Sequence, residues 1–373
     1  MRVYVDIKPE MLVWAYERAG YNRQDAVRLY PQLDSWLDGK SQPTARQAEK
    51  YASKFYVPFG FLMMSFPPIE KQIIPMFRKV KRNSPGSINV SDTINQIAMR
   101  QAWMSDYLQE IGQNPLPFVS AYRGLGLDEM VSTIRGILGL DELWAEQFHS
   151  PDDLVRELAS RIEDKGVAVS FNGVVGNNTH RVISVEDCRG FSLVDKYAPF
   201  IFVNSSDAKQ AQYFTLIHEF VHILIGYGAS YGQDSVDLST EEYERYCDEV
   251  AARFVAPESA FKAYWAGMDS IDRMARKLRV SHTVVARRAY SLGFISRDEF
   301  KSYLDELEHR KEAWTGMVRK SGGNFYPTVQ KRLGSVFSTH IANAVRSGQL
   351  LYTEAYHLTG LRGDSFSKAL RIR

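Results

Sequence analysis

His218-Glu219-Phe220-Val221-His222 is the stretch from which the rest of the chain can be read. Four residues make just over one helical turn, so on a helix the two imidazoles project side by side. Glu219, three before His222, keeps to the same face. Two neutral imidazoles and one carboxylate at that spacing can hold Zn²⁺ and take a proton from water. So short a pattern also arises by chance, and its setting has to carry the reading. Ser205, Ser206 and Asp207 supply a helix start, Ala211, Phe214, Ile217, Val221 and Leu224 recur with helical period, and Gly226 stops the run. The motif is expected on a helix with a buried face.

A catalytic zinc site needs a third protein ligand, and the next helical pattern offers one after a polar Gly/Ser loop from Tyr227 to Leu238. Ser239-Thr240-Glu241-Glu242 reads as a capping box. Glu244 and Asp248 then share a face, while Ala251, Ala252, Phe254 and Val255 carry the helix to Pro257. Glu244 is the expected third ligand. Glu241 and Glu242 suit the first turn, where acids favour the helix dipole, and Glu249 lies off the Glu244 face. Asp248 is placed to accept the ring N–H of a ligating histidine, His218 being the expected one, and so to fix its tautomer. Cys247, between the two acids, reads as packing material.

From these residues outward the chain resembles the ImmA/IrrE metallo-endopeptidases, which join a gluzincin-like zinc site to helix-turn-helix modules. The likeness is carried by Ala198-Pro199-Phe200-Ile201-Phe202-Val203-Asn204, by Phe214-Thr215-Leu216-Ile217-His218-Glu219, and by Glu244-Arg245-Tyr246-Cys247-Asp248-Glu249-Val250-Ala251-Ala252 with Pro257. Asn is usual in that family where this chain has Asp248, and gluzincins such as thermolysin carry Asp four residues after their ligand Glu. The resemblance implies His218, His222 and Glu244 as metal ligands and Glu219 as the base, the roles the spacing suggests.

The fold expected around the motif is α+β: mostly helical, with a small antiparallel sheet in a zincin-like core flanked by helix-turn-helix-like modules. Residues 1–70 read as short helices, with Leu12, Ala15 and Tyr16 in the first, Ala26 and Leu29 in the second, Leu33, Trp36 and Leu37 in the third, and Ala45 to Phe55 in the fourth. The run Trp36-Leu37-Asp38-Gly39-Lys40-Ser41-Gln42-Pro43-Thr44 resembles an XRE-type helix-turn-helix. Its third helix offers Gln32, Asp34, Ser35 and Asp38, with Lys40 only at the end, a poor charge for a phosphate backbone. Docking or dimerisation is the competing role for this unit. Residues 71–149 read as a helical brace containing the basic stretch Arg78-Lys79-Val80-Lys81-Arg82, the loop Asn83-Ser84-Pro85-Gly86 and a long helix from about Ser91 to Ile111.

The metallopeptidase-like core is expected over 150–257. Ser150-Pro151-Asp152-Asp153 opens a helix that Gly166 ends, and strands follow at Val167 to Phe171, Arg181 to Val185, Gly190 to Val194 and Phe200 to Val203. Because the edge strand of such enzymes pairs with extended substrate, Gly190, Phe191, Ser192 and Leu193 are the expected peptide-binding residues, by strand addition. A covering loop would serve the same edge. The ligand set leaves one position for water, whose proton Glu219 would take and pass to the leaving nitrogen. Donors for the oxyanion are sought among His180, Tyr213, Tyr231 and Tyr243.

Residues 258–297 read as a second helix-turn-helix-like unit, in which Arg273, Arg276, Lys277 and Arg279 form a candidate nucleic-acid contact. The basic helical region 298–373 completes the chain; from Lys301 onward, 12 Lys/Arg less 6 Asp/Glu leave +6, enough to draw an acidic partner.

A chain of 373 residues exceeds one ordinary core, and a formal charge of +2 excludes a strongly polyanionic or polycationic protein. Cys188 and Cys247 alone make no disulfide framework. With no signal-peptide core at Met1-Arg2-Val3-Tyr4-Val5-Asp6 and no apolar run of spanning length, the expectation is a soluble cytoplasmic protein without a membrane partner. Two functions are expected to compete. One is a Zn²⁺-dependent, site-specific endopeptidase that cleaves a helix-turn-helix repressor or other regulatory protein in a stress or mobile-element response. The other is a DNA- or protein-binding regulator, as of a toxin–antitoxin or phage-defence locus, with the zinc fold as scaffold. Neither fixes whether the chain self-associates into a homo-oligomer.

Overall fold

The computed structural model describes residues 3–68, 85–227, 240–312 and 325–372. Near the N-terminus, α1 (Pro9–Arg18), α2 (Arg23–Leu29), α3 (Leu33–Leu37), α4 (Ala45–Lys54) and α5 (Phe59–Leu62) enclose a core of their own. Met11, Leu12, Ala15, Leu33, Tyr51 and Phe55 are buried in it, and the Tyr51 hydroxyl donates to the Leu12 carbonyl over 2.8 Å. Local chemistry sets these helices: Asn22 caps α2, and Thr44 with Gln47 forms a capping box on α4. Of the two apolar residues that mark α2, Ala26 is buried and Leu29 is exposed.

The long helix α6 (Pro85–Glu110) begins inside the segment expected as a loop. Proline lacks only an N–H that the first turn would leave unpaired anyway, so Pro85 opens the helix instead of breaking it. The expected basic stretch 78–82, with Asn83 and Ser84, lies outside the described residues. After α7 (Leu127–Leu138) comes α8 (Pro151–Glu163), whose start is fixed as expected by Ser150, its hydroxyl accepting from the Asp153 N–H at 3.1 Å.

The strands are β1 (Ala168–Phe171), β2 (Val174–Val175), β3 (Asn178–Val182), β4 (Gly190–Leu193) and β5 (Phe200–Val203). They make a three-stranded sheet in the order β1-β5-β4 and a separate β2-β3 hairpin. The expected all-antiparallel sheet is corrected here: β4 runs antiparallel to β5, but β1 is parallel to it, from Ala168 opposite Phe200 to Phe171 opposite Val203. Apolar residues at every position explain the parallel pairing. Ile201 and Val203 face one core while Phe200 and Phe202 face another, so β5 is buried on both sides, as strands of parallel sheets are. The strand expected at 181–185 is instead β3, pairing with β2; Ser184 already starts a turn, its hydroxyl accepting from the Glu186 N–H at 3.2 Å.

On one face of the sheet lie α8, α9 (Lys209–Ile225) and α10 (Thr240–Val255), followed by α11 (Glu258–Tyr264), α12 (Ile271–Leu278), α13 (His282–Ser291) and α14 (Arg297–Glu312). The other face is covered by α6 together with α15 (Phe325–Leu333), α16 (Ser335–Arg346), α17 (Tyr352–Thr359) and α18 (Gly363–Leu370). The Ser170 hydroxyl of β1 donates to the Arg332 carbonyl at 2.6 Å, and the Glu163 carboxylate accepts from the N–H groups of Ser335 and Val336. Helix α6 from before the sheet and α15–α18 from after it thus seal the back of the sheet. Among the described residues no helix is long and apolar enough to cross a membrane.

Candidate metal centre

The central helix α9 starts at the N-cap Ala208, past the expected Ser205–Asp207, because Asp207 folds back to accept from the Ala208 N–H. It stops as expected at Gly226, whose φ of +72° suits glycine. From Gln212 to Ile225 nearly every residue is buried, so the helix is enclosed by β4, β5, α8 and α10 and not merely seated on one face. The expected capping box of α10 begins at Ser239, outside the described residues, as does Tyr231.

His218 and His222, one turn apart on α9, bring their Nε2 atoms to 3.1 Å. Glu244, on α10, places one carboxylate oxygen 3.4 Å from the His218 Nε2 and the other 3.3 Å from the His222 Nε2. Donors bound at about 2.0–2.1 Å in tetrahedral geometry stand about 3.3–3.4 Å apart, so these three could hold a divalent ion between them. Electrostatics agrees with the spacing. Burial opposes ionisation of Glu244, yet hydrogen bonds from both imidazoles hold its carboxyl well below the usual carboxylate range. Burial likewise disfavours charge on His222, but Cys247, Glu244 and Glu219 together push it well above the ordinary histidine value. The surroundings therefore call for positive charge at this spot, which a bound cation also supplies.

Glu219 is not among the converging donors. It is buried, and desolvation raises its carboxyl above the ordinary value of 4.5, partly offset by charge from both histidines and by a hydrogen bond from Ser192. Asp248 sits one turn beyond Glu244 with Oδ1 3.1 Å from the His218 Nδ1, close but without the alignment of a formed hydrogen bond. Cys247, expected as packing, is fully buried and has its Sγ 3.6 Å from the His222 Nδ1.

The edge strand β4 passes over α9 with Gly190 and Ser192 toward the helix and Phe191 and Leu193 in the opposite core. All four residues expected to bind peptide are buried, and at the end of the strand the Leu193 carbonyl accepts from Gln101 Nε2 at 2.8 Å. Of the candidate oxyanion donors, His180 is exposed on the hairpin, Tyr213 is buried beside Trp144, and Tyr243 stacks at 4.2 Å on Tyr227, whose ring lies 6.0 Å from that of His222. Local spacing gave no signal for Tyr227 or for the Ser192 hydroxyl; Cys247 did carry one, three residues after Glu244 on the same helix.

Arg273, Arg276 and Lys277 of α12 and its C-cap Arg279 line a surface depression with Glu146. Arg273 donates to the Tyr264 carbonyl, Arg276 to that of Asp272, and Arg279 twice to that of Phe148. Lys277 lies 3.7 Å from Glu146 and above the Tyr264 ring. Much of this cation cluster therefore holds its own segment in place.

Residues 163–290 match a peptidase-family model described as IrrE N-terminal-like domain, and residues 333–371 match a domain of unknown function (DUF8813). No match was found among the curated proteins. The first match runs from the end of α8 through the sheet, both site helices and α13, so α12 and α13 fall within the peptidase-like segment. A zinc-metallopeptidase-like domain is what this stretch resembles. The helix-turn-helix likeness of α1–α5 rests on sequence resemblance alone.

Proposed function

We propose that this protein is a zinc-dependent endopeptidase that cuts a regulatory protein, its substrate a helix-turn-helix repressor, at a specific site. The observation that carries the reading is the convergence of the His218, His222 and Glu244 donors at 3.1–3.4 Å beside a buried carboxylate, Glu219, that takes no part in it. A zinc ion held there supplies Lewis acidity toward a scissile carbonyl and lowers the pKa of solvent. The chain's own groups do the rest. Glu244 would neutralise part of the ion's charge, and Asp248, 3.1 Å from the His218 Nδ1, is placed to accept a hydrogen bond from that ring N–H. Glu219, with its affinity for a proton raised by burial, accepts one from the attacking water and returns it to the leaving nitrogen. The repressor-like substrate is inferred from the family resemblance at the site motif.

The test uses the full-length chain. Protein purified without added metal is analysed for zinc and incubated with a candidate repressor from the same locus, with and without chelator. Cleavage should need the metal and fall by at least about 10²-fold in Glu219→Gln, the lower range for a removed general base. A Glu219→Gln protein with parental activity would overturn the mechanism.

A further inference from the structure

On α10 the residues Glu244, Cys247 and Asp248 occupy positions i, i+3 and i+4, one face of a helix, opposite His218 and His222 at i and i+4 on α9. The two helices meet in matched register. Glu244 spans both Nε2 atoms, Asp248 stands at the outer nitrogen of His218, and Cys247 stands at the outer nitrogen of His222. We propose that Cys247 is a positioning residue: its sulfur accepts the Nδ1–H of His222 and so fixes which ring nitrogen faces the metal pocket. This rests on the reading of His218, His222 and Glu244 as ligands.

A neutral imidazole carries one N–H, and a ring that gives its Nε2 lone pair to an ion must keep the proton on Nδ1. His222 is 5 % exposed and Cys247 wholly buried, so water is a poor source of an acceptor there and an unpaired N–H would be costly. The sulfur at 3.6 Å meets that need, the long separation being natural for an acceptor of sulfur's size. A thiol is a weak acceptor with a hydrogen of its own to dispose of elsewhere. The two ligand rings are thus held unequally, His218 beside a carboxylate and His222 by a soft contact. Removing the soft one should loosen the ring that sits deeper, its side chain 6 % exposed against 12 % for His218.

The experiment measures the Zn²⁺ dissociation constant of the full-length protein by competition with a chromogenic chelator, in the absence of any substrate. Three variants are compared with the parent: Cys247→Ser, which keeps an acceptor, and Cys247→Ala and Cys247→Val, which remove it with smaller and larger volume. Melting temperatures of the metal-free proteins separate loss of fold from loss of grip. The expected result is Zn²⁺ binding weaker by about 10- to 100-fold in both the alanine and valine variants, the usual cost of deleting a ligand's supporting partner, with serine close to the parent. Alanine or valine binding as tightly as the parent would overturn the proposal, and so would a serine variant as weak as those two. A parent chain that takes up no zinc would overturn the ligand assignment itself, and is told apart because every variant would then be equally silent.

Discussion

Glu219 is where protonation and chemistry meet at the scale of one residue. Burial raises its carboxyl above 4.5, whereas the hydrogen bond from Ser192 favours the charged form and pulls it down. A general base works only when ionised. The kcat/KM for peptide cleavage should therefore climb as pH rises through a value above that of an ordinary glutamate. Ser192→Ala, which deletes a donor to the carboxylate, should move this acid limb to higher pH by roughly half to one pH unit, the equivalent of one hydrogen bond of about 1 kcal/mol. A limb that stays put in the alanine variant would remove Ser192 from any role at Glu219. The candidate donors were legible in the sequence because they obey spacings internal to one helix: a step of four positions from His218 to His222, and the same step from Glu244 to Asp248. Ser192 was not legible as a partner of Glu219, since nothing in β4 announces which helix will lie across it. Cys247 was legible in position but not in role, because an uncharged residue amid alanines and aromatics looks like core until the facing ring is known.

At the scale of elements, β4 and α9 come so close that side-chain volume decides the contact. A methyl group added to Gly190 would stand 2.4 Å from the Thr215 Cγ2 and 2.8 Å from the Phe202 carbonyl oxygen, the latter backbone that cannot yield without shifting β5. Gly190→Ala should cost about 1–3 kcal/mol by overpacking and lower the melting temperature. Because the same methyl would lie 3.5 Å from the Glu219 Oε1, activity should drop further than stability alone explains. A variant with parental melting temperature and activity would mean that the strand stands off the helix. The turn at the other end of α9 is governed similarly: Gly226 combines φ +72° with a would-be methyl 2.4 Å from the Ser120 Oγ, so Gly226→Ala pairs backbone strain of about 1–2 kcal/mol with a clash, read as a lower melting temperature. The sequence marked Gly226 as a helix stop and Gly190 as the first residue of the expected peptide-binding strand, and neither reading discloses how closely a neighbour approaches. Helix α8 could be read from its cap and α9 from its periodicity and glycine stop, whereas the direction of β1 could not, because Phe200–Val203 is apolar throughout and offers no alternation from which to infer a partner.

Across the whole molecule, the N-terminal helical unit is fastened to the rest through Asp92 of α6. One carboxylate oxygen of Asp92 meets Arg18 of α1 at 2.8 Å and the other meets Arg181 of β3 at 2.6 Å, with side-chain exposures of 17 %, 13 % and 10 % respectively. Arg181 also lies 4.2 Å over the ring of Tyr56, and Arg18 reaches the Tyr56 carbonyl at 3.4 Å, so both cations grip the end of α4's connection to α5. No local pattern could disclose this joint, whose members are separated by 74 and 89 positions in the chain. Charge reversal illustrates the hazard of reading function from cations alone. At Arg276 or Arg279 it would break bonds to the carbonyls of Asp272 and Phe148, so a lost gel shift there would report a damaged α12 as readily as lost nucleic-acid contact. Asp92 offers a cleaner probe of how the units communicate. Asp92→Ala removes the carboxylate that two largely buried guanidinium groups share and should cost up to about 3 kcal/mol at the joint, less than a fully buried pair because water reaches all three side chains and both cations keep other contacts. The donors at His218, His222 and Glu244 belong to other elements, and zinc affinity should stay at the parental value. Small-angle scattering should then show a larger radius of gyration for the full-length variant as the N-terminal unit swings free. An unchanged radius would mean that apolar contacts, and not this shared carboxylate, hold the unit in place.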